Sequence, residues 1–309
     1  MKIATVTLNP ALDQTVTVNH FLPNTVNYAQ KMQFTAGGKG INVAAFLADA
    51  GFTPSVTGFL GQDNAEVFAQ FFASKHIDDH FIRIPGRTRI GVKIVDEANQ
   101  QTTDINMPGL PPPLEALDHL TRMVEQLATF CDWFVLSGTL PPGVPATTYA
   151  GLIQQLQIYG KQIVLDTSRE ALSAGIQAGP TIIKPNLDEL QQLTGQDLTN
   201  EQEIEPVVRP FLEHGIQLIV VSLGERGAIF IDSTTTLMAV PPKVTVKSTV
   251  GAGDAMIAGL LVGQMRQLSL PDCARLATAF ALGKITRSAT FLPPFEELQA
   301  YSKQVAIHA

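Results

Sequence analysis

At 309 residues the chain is long enough for one large α/β domain or two ordinary ones, with a substantial core either way. Hydrophobic residues make up 45% and charged residues 16%, yet no unbroken apolar run approaches the roughly 20 residues of a membrane helix, which excludes a bilayer-spanning segment and describes a soluble globular protein. A net charge of -7 argues against a general nucleic-acid binder, which needs excess lysine and arginine to displace counterions; a small anionic substrate held by a local cluster of cations stays open.

The N-terminal MKIATVTLNPALD has a short apolar run broken by Asn9-Pro10 and no cleavage-site pattern, so the chain is expected to remain in the cytoplasm. KIATVTL reads as a first strand, and GINVAAFLADAG as a helix after it. Residues 12 to 36 and 87 to 106, with LDQTVTVNHF, NYAQKMQFT, RTRIGVKIVD and QQTTDIN, instead read as partly polar strands joined by turns. They are inserted between elements of the main unit, so they are expected to form a small lid sheet on a single domain spanning 1 to 309.

MPGLPPPLEAL then restarts the helices. DWFVLSG, KQIVLDTS, TIIKPN and QLIVVSLG read as further strands, the first three each followed by a helical segment. Strands alternating with helices predict a mostly parallel sheet with helices on both faces, and the lack of polar alternation fits strands covered on both sides. Cys131 and Cys273 sit in apolar contexts far from any CxxC spacing, so they predict buried thiols and neither a disulfide nor a zinc site. The six histidines show no paired ligand spacing.

Near the C-terminus, VTVKSTV reads as a strand and AMIAGLLVGQM as a buried helix, which places Gly251, Ala252, Gly253 and Asp254 at a strand-to-helix junction. The N-terminus of such a helix carries unpaired N–H groups and the positive end of the dipole, and glycines leave those amides open to an anion. On this motif alone Asp254 is either an N-cap in a tight turn or a base beside a phosphate cradle, where it would take the proton of an attacking hydroxyl. Neither GxxxxGK[ST] nor GxGxxG occurs.

STVGAGDAMIAGLL, residues 248 to 261, resembles the C-terminal signature of the ribokinase-like (PfkB) sugar kinases, and AGGKGINVAAFLADAG, residues 36 to 51, resembles their N-terminal signature. SGTLPPG, IIKPNLDEL and VVSLGERGA fit between them in order, so the resemblance covers essentially the whole chain. TLNPALD, GRTRIGVKI, DTSREAL and STVGAGD are most similar to the 1-phosphofructokinase subgroup, and tagatose-6-phosphate kinases share much of this pattern.

The resemblance implies a three-layer α/β/α sandwich with a β lid, ATP along the C-terminal half of the sheet and a phosphosugar under the lid. It makes Asp254 the general base and Gly251, Ala252 and Gly253 the anion hole. Asp13 should bind sugar hydroxyls, although on sequence alone it is equally a turn residue after Pro10. Gly37, Gly38, Lys39 and Asn42 should contact the sugar; alone, their loop reads as a glycine turn that starts a helix.

Arg89 is the expected ligand for the sugar's phosphate, and a solvated strand charge is the reading without the GRTRI match. Ser137 and Gly138 should line the sugar site. On the nucleotide side the resemblance implies Lys184 and Asn186, then the loop Ser222, Leu223, Gly224, Glu225, Arg226 and Gly227. Asn186 and Glu189 should organise Mg²⁺ through water, while the same two residues also suit a helix cap.

ALGKITRSATF, residues 281 to 291, departs from the subgroup by placing Lys284 and Arg287 where the adenine wall is usually small and apolar. The expected activity is ATP-dependent phosphorylation of fructose 1-phosphate at its 6-hydroxyl. Tagatose-6-phosphate or fructose-6-phosphate kinase is the rival within the class, and a non-catalytic sugar-phosphate sensor the rival outside it. Exposed edge strands of the lid are expected to be covered by a second lid in a homodimer.

Overall fold

A computed structural model describes residues 1–99, 101–287 and 291–308; residues 288–290 of the ALGKITRSATF segment therefore lie outside the described residues. The first strand, Ile3–Thr7, is wholly buried and sits inside the main sheet, with Ser55–Gly61 on one side and Trp133–Ser137 on the other. Beyond Trp133–Ser137 the sheet continues through Gln162–Asp166, Ile182–Ile183 and Leu218–Ser222, all parallel, and then turns antiparallel through Ala228–Ile231, Thr236–Val240 and Ala306–His308.

Side chains on these strands alternate between two cores because successive residues point to opposite faces. Val6, Phe134, Leu136 and Leu165 pack under the helices Leu114–Ala128, Thr148–Ile158 and Arg169–Gln177. Ile3, Val135 and Val164 pack under Lys39–Asp49, Ala252–Met265 and Leu270–Ile285. Each fully buried leucine or phenylalanine contributes about 1.5–3 kcal/mol, which holds three layers together without disulfides. Cys131 and Cys273 are buried free thiols, as their apolar contexts predict.

The chain leaves Ile3–Thr7 toward one edge and later returns to Trp133–Ser137 on its other side. Such a reversal opens a crevice beyond the carboxyl ends of the strands, where ligands of open α/β sheets bind. Over that crevice stands a second sheet of four strands, in the order Lys31–Gly37, Ala11–Val18, Ile90–Asp96, Gln101–Asn106. Its register sets Asp13 opposite Gly91 on one face, and Phe34, Gln14, Val92 and Ile105 in a row on the other.

One predicted element is corrected. VTVKSTV forms no strand: Pro241 and Pro242 interrupt the chain, and the far side of Thr236–Val240 is already taken by Ala306–His308. The segment is instead tied to a helix end, with the Lys247 N–H donating to the Ile285 carbonyl at 2.7 Å. The glycine turn is thus reached from a loop.

Candidate active site

Two helices start side by side at the crevice, and neither has a side-chain cap. Lys39–Asp49 begins after Gly38 at φ 130°, and Ala252–Met265 begins after Gly251 at φ 81°, a left-handed conformation that glycine adopts without steric cost. Their first amides are left for a ligand, with the dipoles favouring an anion. Asp254 is the third residue of its helix and makes no capping bond, so the N-cap reading falls. Its Oδ2 accepts a hydrogen bond from Asn42 Nδ2 at 2.8 Å. Burial, with the nearby Asp166 charge, pushes the Asp254 carboxyl up to about 6, and Lys39, Asn42 and Lys184 oppose the rise.

Behind the glycine turn lies an ionic cluster that sequence reasoning did not assign. Asp166 ends a core strand, is 1% exposed, and takes Lys39 Nζ at 3.1 Å and Lys184 Nζ at 3.5 Å on one oxygen. Burial alone would raise its carboxyl; Lys184 and Lys39 overcome this and hold it below the usual carboxylate range. Burial likewise works against the Lys39 charge, and Asp166, Glu189 and Asp254 outweigh it and hold the lysine protonated above its ordinary value. The signal was present in KQIVLDTS, because a carboxylate closing an apolar strand requires a buried partner. A Cβ on Gly253 would stand 3.2 Å from Lys184 Nζ, so the glycine lets this ammonium reach the helix start.

One side of the crevice is a cavity of about 1200 Å³ that reaches from the four-stranded sheet to Asp254. Asp13 lies within the strand Ala11–Val18 of the four-stranded sheet, so the turn reading falls for it too. Its carboxylate is wedged between two glycines: a Cβ on Gly37 would come within 2.6 Å of Oδ2, and one on Gly91 within 2.8 Å of Oδ1. Lys93 Nζ donates to Asp13 Oδ2 at 2.6 Å. Arg89 precedes a lid strand and is held by neutral oxygens: Nε donates to Asn9 Oδ1 at 3.0 Å and Nη2 to the Asn9 carbonyl at 3.2 Å. Burial draws its pKa down against the pull of Asp13, and among the described residues no carboxylate is bound to it. Lys93 and Asn9 were not among the sequence-derived candidates, although both lie in the quoted TLNPALD and GRTRIGVKI motifs.

Gly38, Lys39, Asn42 and Gly138 line this cavity. Ser137 does not, being fully buried below Gly138 with no hydrogen-bond partner for its hydroxyl among the described residues. Lys184, Asn186 and Ser222 border it at the far end. Asn186 caps its helix, accepting from the Glu189 N–H at 2.7 Å while Glu189 Oε2 accepts from the Asn186 N–H at 2.9 Å.

Ser222 and Gly253 also border a second cavity of about 800 Å³, with Ala252, Gly224, Glu225 and Gly227 at its mouth. Leu223 is buried in the core instead, and Arg226 is turned to Glu201 at 2.6 Å. The depth of this cavity is apolar, lined by Val244, Met256, Ala281, Leu282 and Ile285. Lys284 is buried behind Gly251, and Arg287 pairs with Glu297 at 2.8 Å, so neither departure lines this cavity, whose depth stays apolar.

Residues 6–296 match the family model of pfkB family carbohydrate kinases. The chain belongs to that family. This pfkB kinase is 43% identical to the 1-phosphofructokinase of Rhodobacter capsulatus over 99% of its own length and 98% of the relative's. It is 39% identical to the Vibrio cholerae 1-phosphofructokinase over 100% and 97%, and 36% identical to that of Escherichia coli K12 over 98% and 97%. Its fold superposes on phosphofructokinase-2 from E. coli in complex with potassium with a TM-score of 0.92 at 29% identity, covering 98% of each chain. A possible 1-phosphofructokinase from Thermotoga maritima gives 0.90 at 26%, over 100% and 99%. The pfkB kinase is therefore an ATP-dependent sugar kinase with a mostly parallel main sheet and a smaller sheet.

Proposed function

We propose that this pfkB kinase transfers the terminal phosphoryl of ATP to the 6-hydroxyl of fructose 1-phosphate, giving fructose 1,6-bisphosphate and ADP. One observation carries the reading: a single cavity has an uncompensated guanidinium, Arg89, at its lid end and a buried carboxylate, Asp254, beside uncapped helix amides on its floor. A sugar with phosphate on one terminal carbon and hydroxyl on the other fits both groups at once.

In this reading Asp254 accepts the 6-hydroxyl proton as attack develops, and Asn42 fixes which carboxylate oxygen faces the alcohol. The amides of Ala252 and Gly253, with Lys184 beside them, stabilise charge on the transferred phosphoryl oxygens. Asp13 holds sugar hydroxyls, while Lys93 and the two flanking glycines hold Asp13. Adenine occupies the apolar second cavity.

Magnesium keeps several waters and takes few protein oxygens, and the residues present suit that. Among the described residues no group of three or more His, Cys, Asp or Glu could hold a metal, and Asn186 and Glu189 each spend one oxygen on their mutual cap. They would hold the ion through water, and it would neutralise the ATP phosphates.

The lid's outward face supports a homodimer. Met32, Phe34 and Ile105 on that face are 44–57% exposed, beside half-buried Val92 and Ile94, so two lids would cover one another's apolar side. Sedimentation finding only monomer at micromolar concentration would refute this. We place the enzyme in the cytoplasm; among the described residues no helix is long and apolar enough to cross a membrane.

The deciding experiment is specific activity with fructose 1-phosphate, fructose 6-phosphate and tagatose 6-phosphate. A preference for fructose 1-phosphate is expected; a preference for a 6-phosphate overturns the assignment in favour of the 1-hydroxyl as acceptor. Binding of phosphosugar with no turnover of any would favour a sensor.

A further inference from the structure

Five cationic side chains line the larger cavity: Lys39, Arg89, Lys93, Arg169 and Lys184. Four are already engaged. Lys39 and Lys184 share Asp166, Lys93 is bound to Asp13, and Arg89 is held by Asn9. Arg169 is exposed to the cavity and has no hydrogen bond or ion pair from its guanidinium among the described residues.

Its backbone is unusual as well. Arg169 opens the helix Arg169–Gln177 at φ 57°, the left-handed region in which a side chain crowds its own carbonyl. The segment just before it is tied to the neighbouring strand end: the Asp166 carbonyl accepts from the Gly138 N–H at 2.9 Å, and Thr167 Oγ1 donates to the Gly138 carbonyl at 2.9 Å. Glycine would meet this geometry without strain. A strained residue with five unspent donors, facing a cavity that must hold polyanions, is the pattern of a residue kept for its side chain.

Its place in the sheet says what it faces. The Gln162–Asp166 strand lies between the strand leading to Gly138, at the sugar end, and the strand leading to Lys184, at the nucleotide end. Neighbouring strands are about 4.8 Å apart, well within the span of an arginine side chain. We propose that Arg169 is a phosphate-binding residue of this site, its guanidinium gripping a phosphate group of a bound substrate through paired hydrogen bonds. The phosphate belongs to the nucleotide or to the phosphosugar. The proposal rests on the kinase reading above.

Three variants separate charge from strain. Arg169→Gln removes the charge and keeps the backbone strain, Arg169→Lys keeps both, and Arg169→Gly removes both. Loss of a charge-assisted pair should weaken Arg169→Gln and Arg169→Gly alike by about 10- to 100-fold in kcat/KM, with Arg169→Lys in between. A rise in KM for ATP assigns the grip to the nucleotide, and a rise in KM for fructose 1-phosphate assigns it to the sugar. Arg169→Gly alone should melt higher than the native protein, by about 2–4 °C. Native constants for both substrates in Arg169→Gln would overturn the proposal, and so would Arg169→Gly melting below Arg169→Gln. Calorimetric titration of ATP and of fructose 1-phosphate separately onto each variant reads the same loss without turnover, so an error in the assigned reaction would leave this test standing.

Discussion

Asn42 and Asp254 are 212 positions apart in sequence, yet the Asn42 amide donates to the Asp254 carboxylate at 2.8 Å, joining the first turns of two helices. The bond favours the ionised carboxyl, so it works against the burial that raises Asp254. Asn42→Ala should lower kcat and move the acidic limb of the pH–rate profile upward. A loss of kcat with an unmoved limb would mean that Asn42 acts on the sugar alone.

Asp254→Asn should fold and bind both substrates while losing on the order of 10²- to 10⁴-fold in rate, as expected for a general base. A base at this position must be ionised to act, and the carboxyl of the free protein is pushed up to about 6, so kcat/KM should fall about tenfold per pH unit below that value. Full turnover by a folded Asp254→Asn would remove the catalytic assignment.

The same raised carboxyl bears on stability. Because the folded value of about 6 exceeds the ordinary 3.8, the group's stabilising contribution is complete below pH 3.8 and is lost as pH rises through 6. At pH 8 the Asn variant should therefore be the more stable protein, by up to about 3 kcal/mol, and the gap should close near pH 4. Denaturant titrations at the two pH values measure this directly.

Asp166 carries the opposite sign. Its folded value lies below 3.8, so its contribution is present above that pH and disappears as acid protonates it. Asp166→Asn leaves Lys184, 4% exposed, without its partner, and should cost about 3–5 kcal/mol in urea unfolding at pH 7. An unchanged midpoint would show that Lys184 finds another acceptor.

The parallel core was legible because strands such as Ile3–Thr7 and Trp133–Ser137 carry almost no charged or strongly polar residues, as strands buried on both faces require. VTVKSTV misled for the same reason, since β-branched composition does not reveal that the neighbouring edge is already paired. The place of Asp254 in the first turn of a helix was legible from its glycines, but only packing shows which residues of one loop face a cavity. Leu223 and Arg226 follow Ser222 in one loop and yet point to the core and to Glu201. Lys284 likewise shares a helix with Ala281 and Ile285, yet its stem runs behind Gly251 and not into the second cavity, which only the packing of the turn reveals.

Gly91 is expected to be intolerant of even one methyl group. A Cβ there would stand 2.8 Å from Asp13 Oδ1, and the other carboxylate oxygen is tied to Lys93 Nζ at 2.6 Å. Gly91→Ala should therefore displace the carboxylate and raise KM for the phosphosugar, leaving KM for ATP near its native value. Equal rises for the two substrates would point to collapse of the lid.

Arg89→Ala should weaken a phosphosugar more than its unphosphorylated analogue. The guanidinium is bound to Asn9 through a side-chain and a main-chain oxygen, both neutral, so its full charge remains for a phosphate. Charge-assisted hydrogen bonds contribute about 1.5–3 kcal/mol, which corresponds to roughly 10- to 100-fold in KM for fructose 1-phosphate. The analogue, lacking the phosphate, should lose only the few-fold expected from a loosened Asn9. Equal losses for the two sugars would mean that Arg89 braces the lid through Asn9 and Asn106 and does not touch the phosphate.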